Sequence, residues 1–343
     1  MPLENLSDDK LKDFVKTQLE FLKQEEECER TRLSRRHALT ARALACEVDQ
    51  DIGPLVCFSI VSSSEKVKKG ERLAATAGSK KTKRGTVYEI DKNSFTLSVK
   101  NTKFFPIGHL TDFCLIPCGN SEMQQAVRDI LSREVYKTGE PPKRVRDVLL
   151  GLARPRALPQ LKPVEFFNSR LDKSQKEAVT WCLRQKQVAV IHGPPGTGKS
   201  TTLVELVKQA VERGERVLVC AASNAAVDNL LDKVKKAGCS DLVRIGHPAN
   251  MEKAHTKLTL ESLARKKKKP ESAILKNAKV VFGTLTGCAK EVCNSLLTYN
   301  FHLKTYNQVS SLPPKHFSMT IVDECGQAME AAVWIVVRFN HNF

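Results

Sequence analysis

The sequence lacks the features that mark secreted, zinc-stabilised and membrane proteins. Its 11 cysteines include no Cys-x-x-Cys pair, so neither a zinc site nor a disulfide framework is indicated. Residues 1–9 have no basic start followed by an apolar core, and no apolar run approaches the length of a membrane span. No internal repeat is present. We therefore expect no membrane partner and a reducing compartment, the cytoplasm or the nucleus.

Acidic residues are scarce relative to basic ones. The 55 Lys and Arg exceed the 38 Asp and Glu, giving a formal net charge of +17. Such a surplus favours a polyanionic partner, although a merely basic, solvated surface has the same composition. A length of 343 residues with 41% hydrophobic residues allows two or three domains with real cores.

The amino-terminal third combines a long helix with a β-rich module. Apolar residues recur at helical spacing from Leu11 to Leu22, and the stretch from Glu25 to Arg36 is densely charged. We predict a helical segment at residues 1–45 and a small β-barrel or sheet at residues 46–118. The β-rich runs of that module are Leu55–Val61, Thr86–Ile90, Phe95–Val99 and Phe113–Ile116.

A basic loop lies inside the β-rich module, and only Glu65 and Glu71 oppose it. Such a loop can follow a phosphate backbone electrostatically, and a solvated loop without a ligand has the same pattern. Nothing in it reads base identity. Its members are Lys66, Lys68, Lys69, Arg72, Lys80, Lys81, Lys83 and Arg84.

Residues 119–165 predict a helix at Ser121–Tyr136 followed by a proline-rich linker. From residue 166 to residue 343, apolar runs alternate with helical patterns. This alternation predicts an α/β domain, a parallel sheet with helices on both faces. Its predicted strands are Val188–Ile191, Val217–Cys220, Leu242–Ile245, Val280–Phe282 and Met319–Val322.

The most informative stretch, Gly193–Ser200, has the G-x-x-x-x-G-K-[ST] spacing of a phosphate-binding loop between a strand and a helix. Its glycines let backbone N–H groups approach phosphate oxygens, and the helix start adds a positive dipole end. We predict that Lys199 reaches the β- and γ-phosphates of a nucleoside triphosphate and that Ser200 ligates Mg²⁺. The predicted nucleotide-binding loop residues are Gly193, Pro194, Pro195, Gly196, Thr197, Gly198, Lys199, Ser200 and Thr201.

A second acidic element is needed to hold the metal and to activate water. Asp323 and Glu324 follow the apolar run Met319–Val322 directly. We predict that Asp323 holds Mg²⁺ and that Glu324 orients or deprotonates the attacking water, with Lys199 as the third catalytic residue.

These segments together resemble superfamily 1 nucleic-acid helicases of the up-frameshift-like group, in particular the immunoglobulin mu-binding protein 2 type. The resemblance covers residues 160 to 336, roughly half of the chain, and follows the family's motif order. The similar segments are Phe166–Val179, Ile191–Ser200, Val217–Asp228, Arg244–Pro248, Val281–Gly287 and Asp323–Ala328.

The resemblance implies a RecA-like P-loop motor domain at residues 166–343, preceded by a helical stalk and a barrel like the family's domain 1B. It implies ATP and Mg²⁺ as cofactors and Gln175 as the adenine contact. A carboxamide can pair with an adenine edge, and a polar residue on an amphipathic helix is the plainer interpretation. The residues that match nucleic-acid contacts are Ser223, Asn224 and Thr284, of which the first two fit a helix cap equally well.

By resemblance, the function is that of an ATP-dependent 5′-3′ DNA/RNA helicase acting on single-stranded nucleic acid, monomeric, with ribosomes or ribonucleoproteins as further partners. The family continues past Asp323–Ala328 into a second motor domain with arginine fingers, so we expect a fragment, splice form or incomplete gene model that cannot unwind alone. The insertion at residues 251–279 is also shorter than the family's. The run Arg265–Lys269 within this insertion either contacts phosphates or is a solvated basic segment without a ligand.

Two other functions stay open at this point. One is a non-catalytic fragment that binds nucleic acid or a partner protein. The other is an AAA-type ATPase, which shares the glycine-rich loop but places its acidic strand closer to it than residues 199 and 323 lie here.

Overall fold

The computed structural model describes residues 4–63, 66–77, 82–107, 111–119, 124, 128, 142–156, 163–185, 187–288 and 316–337. These residues fall into two compact units, each built from more than one stretch of chain. The first contains residues 1–20, 125–245 and 270–343, and the second contains residues 21–124 and 246–269. Most of the helix predicted at Ser121–Tyr136 lies outside the described residues, as do Lys80 and Lys81.

A long helix, α1 (Glu4–Ser34), opens the chain, with residues 4–20 in the first unit and the remainder in the second. Within the first unit, the Phe14 ring packs edge-on against Trp334 at 5.1 Å between centroids. The Gln18 amide also donates to Glu330 Oε2 at 2.8 Å. Both partners belong to α8 (Glu330–Val337), so the amino-terminal half of α1 is fixed by the helix that follows the predicted acidic element.

The second unit contains a closed antiparallel barrel of six strands in the order β1–β2–β5–β4–β3–β6. A buried aromatic cluster fills it, with Phe58 stacked on Phe95 at 5.4 Å and edge-on to Phe113 at 5.7 Å. Closure leaves no open sheet edge in the barrel. The strands are β1 (Leu39–Asp49), β2 (Gly53–Ser62), β3 (Arg72–Thr76), β4 (Lys83–Ile90), β5 (Ser94–Val99) and β6 (Asp112–Pro117).

Two barrel strands, β1 and β3, are missing from the sequence prediction, and the boundary predicted at residue 46 falls inside β1. Both strands are rich in alanine, which has a weak preference for strands. Ala41, Ala43 and Ala75 are buried against the aromatic cluster, where small side chains leave room for the phenylalanines. Packing inside the barrel therefore overrides local propensity at these positions.

Residues 246–269, predicted as part of the motor domain, group with the barrel instead. They form two short 3₁₀ helices and α6 (Leu260–Lys267). The Ser262 hydroxyl donates to Asp51 Oδ1 at 2.6 Å, and Arg265 donates to the carbonyls of Gln50 and Asp51. These bonds attach the segment to the turn between β1 and β2.

The first unit contains a four-stranded parallel sheet in the order β10–β7–β9–β8, as the alternating pattern predicts. Its strands are β7 (Val217–Ala221), β8 (Leu242–Ile245), β9 (Val280–Thr284) and β10 (Met319–Asp323). Its further helices are α2 (Pro142–Leu149), α3 (Lys173–Arg184), α4 (Lys199–Glu212), α5 (Asn224–Lys236) and α7 (Glu271–Asn277).

The strand predicted at Val188–Ile191 is wrong for this structure. The segment has no strand partner among the described residues, and Val190 is 77% exposed. An apolar run supplies the composition of a buried strand, but a strand forms only when a neighbour accepts and donates its backbone hydrogen bonds. The loop at Gly193–Ser200 is therefore held by its own bonds and by the helices that follow and precede it.

Across the described part of the chain, no helix is both long enough and apolar enough to cross a membrane. No disulfide bond joins the cysteines of the described residues. In the core of the first unit, the Sγ atoms of Cys220 and Cys288 lie 3.6 Å apart, and burial raises the pKa of the Cys220 thiol.

Candidate functional site

The loop at Gly193–Ser200 turns back on itself just before α4. Gly196 and Gly198 have φ angles of +83° and +81°, which side chains other than glycine adopt only with strain. The Thr197 hydroxyl donates to the Pro194 carbonyl at 2.8 Å and closes the turn. A Cβ atom at Gly196 would meet nothing within 4 Å, so the loop is open on that side.

Lys199 stands at the first position of α4 with its side chain folded into the loop. Its Nζ atom donates to the carbonyls of Gly193 at 2.7 Å and Pro194 at 3.1 Å. The ammonium group of Lys199 therefore lies within the turn that these loop residues form.

The first turn of α4 has no side-chain cap. Gly198 precedes the helix in a left-handed conformation and supplies no acceptor, whereas Ser223 caps α5 and Asp172 caps α3. Backbone N–H groups in a first helical turn have no intrahelical acceptor, so those of Lys199, Ser200 and Thr201 suit an anionic ligand. Uncapped donors beside an ammonium group fit the phosphates of a nucleotide.

Gln175 lies directly against this loop. Its Nε2 atom donates to the Thr197 carbonyl at 3.1 Å, while its Oε1 atom accepts from the Asp172 amide at 3.2 Å. A Cβ atom at Gly198 would come within 2.5 Å of Gln175 Nε2, so glycine is what allows this approach. Gln175 thus joins the start of α3 to the loop.

Sequence reasoning missed Asp172, which orients Gln175. Asp172 Oδ1 accepts from the Gln175 amide at 2.9 Å and completes a capping box at the start of α3. That backbone bond, helped by the Ser174 hydroxyl, lowers the pKa of the Asp172 carboxyl. An acidic residue three positions before a glutamine at a helix start is the signal that could have found it.

A second missed residue, Glu205, lies on α4 and is only 3% exposed. Its two carboxylate oxygens accept from the amides of Phe167 and Asn168, at 2.9 and 3.0 Å. The Lys208 ammonium lies 4.5 Å from the centre of the Phe167 ring. Glu205 therefore fixes the segment before Gln175 onto the helix that begins with Lys199.

Asp323 and Glu324 follow β10 at its carboxyl end. Asp323 Oδ1 accepts from the Glu324 amide at 3.0 Å, and Glu324 is exposed with a φ angle of +51°. A left-handed conformation is uncommon for glutamate. Asp323 and the Ser200 hydroxyl are hard oxygen donors of the kind that Mg²⁺ prefers, so their chemistry fits this ion.

The parallel register brings three strand ends to one edge of the sheet. Asp323 pairs with Ala221, and Ala221 pairs with Thr284. The acidic element, the start of α5 and Thr284 are therefore neighbours, and α4 packs against β7 and β10. Carboxyl ends of parallel strands are the usual place for ligands in such sheets.

Each of the predicted nucleic-acid residues at this edge has a structural bond. Ser223 Oγ accepts from the Ala226 amide at 3.2 Å and caps α5, and Thr284 Oγ1 accepts from the Gly287 amide at 3.0 Å. Asn224 is the first residue of α5, and its Oδ1 atom accepts from Arg244 at 2.9 Å. Sequence reasoning did not connect Arg244 to Asn224, because 20 residues separate them.

The barrel unit carries the other basic candidates. Lys69 lies 5.8 Å from the Tyr88 ring centre, and Lys83 lies 5.8 Å from that of Phe104. Glu71 accepts from Arg36 at 2.7 Å, so one of the two acidic residues near the basic loop is paired. In the run Arg265–Lys269, the Arg265 guanidinium donates to the turn between β1 and β2, and the four lysines are exposed.

Comparison with known proteins gives a consistent set of matches. A family model described as an AAA domain (AAA_11) matches residues 170–270 and 259–342, together half of the chain. DNA-binding protein SMUBP-2 of Mesocricetus auratus is 37% identical over 239 residues, which cover 60% of this chain and 24% of that protein.

Two further relatives carry the word helicase in their names. DNA polymerase alpha-associated DNA helicase A of Schizosaccharomyces pombe is 34% identical over 200 residues, 50% of this chain and 30% of that protein. An uncharacterized ATP-dependent helicase of Methanocaldococcus jannaschii is 36% identical over 134 residues, 37% of this chain and 20% of that protein. The chain thus spans less than a third of the length of these relatives.

Proposed function

The chain belongs to the AAA_11 family of superfamily 1 helicases, and from that premise we propose that it is an ATPase which binds single-stranded nucleic acid. ATP is held by the loop Gly193–Ser200, and Lys199 neutralises charge on the β- and γ-phosphates. The observation that carries the proposal is the uncapped start of α4, with the Lys199 ammonium folded into the turn before it.

Ser200 and Asp323 are the residues that would hold Mg²⁺, which supplies positive charge beside the phosphates. Glu324 accepts the proton of the attacking water, and its exposed side chain on the strand end leaves it accessible. Gln175 orients the loop through Thr197 and, on the same face, offers its second amide hydrogen to an adenine acceptor.

Single-stranded DNA or RNA binds along the edge formed by Ser223, Asn224 and Thr284. Three features support this part: the shared strand-end register, the net charge of +17 and the DNA-associated names of the relatives. Within the family frame we also propose a monomer of the cytoplasm or nucleus, acting with 5′-3′ polarity, with ribonucleoproteins as further partners. The helical segment is proposed as the stalk of this architecture.

The deciding experiment measures ATP hydrolysis with and without a single-stranded oligonucleotide. We expect turnover that rises with the oligonucleotide, and loss of ATP binding in Lys199→Ala because the phosphates lose their cation. Lys236→Ala, which removes an exposed lysine from α5, is the matched control and should behave as wild type.

Two results would contradict the proposal. Unchanged ATP binding in Lys199→Ala would remove the nucleotide site from the loop. Oligonucleotide binding without any turnover would instead favour a passive binding module.

A further inference from the structure

A buried network of three side chains lies behind the proposed nucleic-acid edge. Arg244, on β8, donates from Nε to Asp228 Oδ1 at 2.8 Å and from Nη2 to Asn224 Oδ1 at 2.9 Å. Its Nη1 atom donates to the Ile245 carbonyl. All three nitrogens of the guanidinium are therefore occupied, and the group has one defined orientation.

The network is well protected from solvent. The Arg244 side chain is fully buried, and Asp228 is 2% exposed. Separating the two members of a buried ion pair leaves each charge buried and uncompensated, which is costly. The two side chains of such a pair are therefore held firmly in place. Asn224 and Asp228 are four residues apart on α5 and thus share the helix face that meets Arg244.

Arginine can only donate hydrogen bonds, so the carboxamide of Asn224 must turn its oxygen towards Arg244. The side-chain amide nitrogen of Asn224 consequently points away from Arg244. Among the described residues this nitrogen has no hydrogen-bond partner. Asn224 is half-buried at the first position of α5, beside the exposed Ser223. An asparagine that is normally both donor and acceptor is reduced here to a donor.

We propose that Arg244 and Asp228 are positioning residues that fix Asn224 as a one-way donor to a phosphodiester oxygen of single-stranded nucleic acid. The inference rests on the proposed function, because it specifies how that site recognises its ligand. A donor fixed at a helix start suits an anionic acceptor and reads no base identity, so the contact is independent of sequence.

The first test replaces Asn224 and measures affinity for a fluorescent single-stranded oligonucleotide. Asn224→Ala removes the donor, and we expect binding about fivefold weaker. Asn224→Asp keeps the oxygen that accepts from Arg244 but turns a negative oxygen towards the phosphate, so we expect binding on the order of tenfold weaker or worse. Asn229→Ala, an exposed asparagine on the same helix, is the matched control.

If Asn224→Asp binds as well as wild type, the outward atom is an acceptor and the inference is overturned. This arm does not depend on changes in the buried pair. Thermal unfolding of each variant reports whether α5 has kept its fold.

The second test addresses positioning. Arg244→Lys keeps a positive charge for Asp228 but has no second arm for Asn224, so the carboxamide becomes free to rotate. We expect weaker oligonucleotide binding and, in the double variant with Asn224→Ala, no loss beyond that of Asn224→Ala alone within about twofold. Additive losses in the double variant would mean that Arg244 acts only on stability, and would overturn the inference.

The outcomes separate the inference from the proposed function. If wild type binds no single-stranded nucleic acid, the proposed function fails and the inference fails with it. A different result separates the two. If the wild type binds single-stranded nucleic acid, and Asn224→Ala weakens this binding while Arg244→Lys does not, the proposed function stands and the positioning role of Arg244 is overturned.

Discussion

At the scale of single residues, His316 makes the fold sensitive to acid. It is 6% exposed, and its Nε2–H donates to the Leu275 carbonyl at 3.1 Å. Burial, with the nearby positive charge of Arg216, lowers the pKa of His316 to about 4, whereas an unfolded histidine titrates near ~6.5. The unfolded chain therefore binds this proton first as the pH falls.

We expect the His316 contribution to the unfolding free energy to be complete above about pH 6.5 and to be lost as the pH falls to about 4. The loss amounts to at most about 3 kcal/mol. Urea unfolding across this pH range measures it. His316→Gln, which keeps a donor for Leu275, should flatten the profile, and His192→Gln, at an exposed histidine, should not. Equal profiles for wild type and His316→Gln would contradict the prediction.

The sequence alone predicts residue chemistry where a short motif carries it. The spacing of Gly193–Ser200 and the acidic pair at the end of β10 specify residue types and their order, because phosphate and metal chemistry require them. The roles of Glu205 and Arg244 were not predictable, because each bonds to groups that only the folded chain brings near. Gln175 is an intermediate case. The sequence indicates this residue as a site candidate, but it does not indicate the hydrogen bond from its side chain to the Thr197 carbonyl.

At the scale of secondary-structure elements, the segment before the Gly193–Ser200 loop lacks the protection of the neighbouring sheet. We expect amides of Val188–Ile191 to exchange with solvent deuterium much faster than those of Val217–Ala221. The latter strand is buried and hydrogen-bonded between β10 and β9, whereas Val190 is 77% exposed. Hydrogen exchange read by mass spectrometry on the two peptides measures the difference, and equal protection would contradict it.

The attachment of α6 to the barrel turn is a second element with a measurable contribution. We expect Arg265→Ala to lower the unfolding free energy of the barrel unit by about 1 kcal/mol. The substitution removes an exposed, charged donor from the carbonyls of Gln50 and Asp51. Lys266→Ala, at the next and exposed position, is the control. Thermal unfolding followed by near-ultraviolet circular dichroism of the barrel aromatics reports the change. An equal effect of the two variants would mean that the guanidinium bonds contribute nothing.

Elements with strong alternation or an uninterrupted apolar run were predicted well. Four of the five strands predicted for the parallel sheet match β7, β8, β9 and β10 closely. The failures have opposite causes: β1 and β3 form although alanine disfavours strands, and Val188–Ile191 does not form although its composition favours one. In both cases the partner strand decides, and a single run of sequence does not contain its partner.

At the scale of the whole molecule, the charge of +17 predicts salt-sensitive binding to single-stranded nucleic acid. Each phosphate neutralised on a single strand contributes about −0.7 to the slope of log K against log salt. We expect a slope steeper than about −2, which corresponds to roughly three or more phosphates. Anisotropy titrations from low to moderate salt measure it.

An oligonucleotide with an uncharged methylphosphonate backbone is the control for this measurement and should bind weakly with almost no salt dependence. Asn224→Ala should lower the affinity without changing the slope, because a carboxamide carries no charge. A slope near zero for the natural phosphodiester backbone would contradict the prediction. It would mean that the surplus positive charge lies on a solvated surface without a ligand.

The division of the barrel unit between two stretches of chain has a consequence for biosynthesis. Ser262 and Arg265 bond to Gln50 and Asp51, which lie 211 to 215 positions earlier in the sequence. A chain emerging from the ribosome can close all six barrel strands once residue 117 is out, while the residues that secure the β1–β2 turn have not yet been translated. All six barrel strands can therefore pair before residues 246–269 exist, because that segment follows β7 and β8 in the chain. A chaperone that binds the chain during synthesis would meet the β1–β2 turn without the bonds from Ser262 and Arg265.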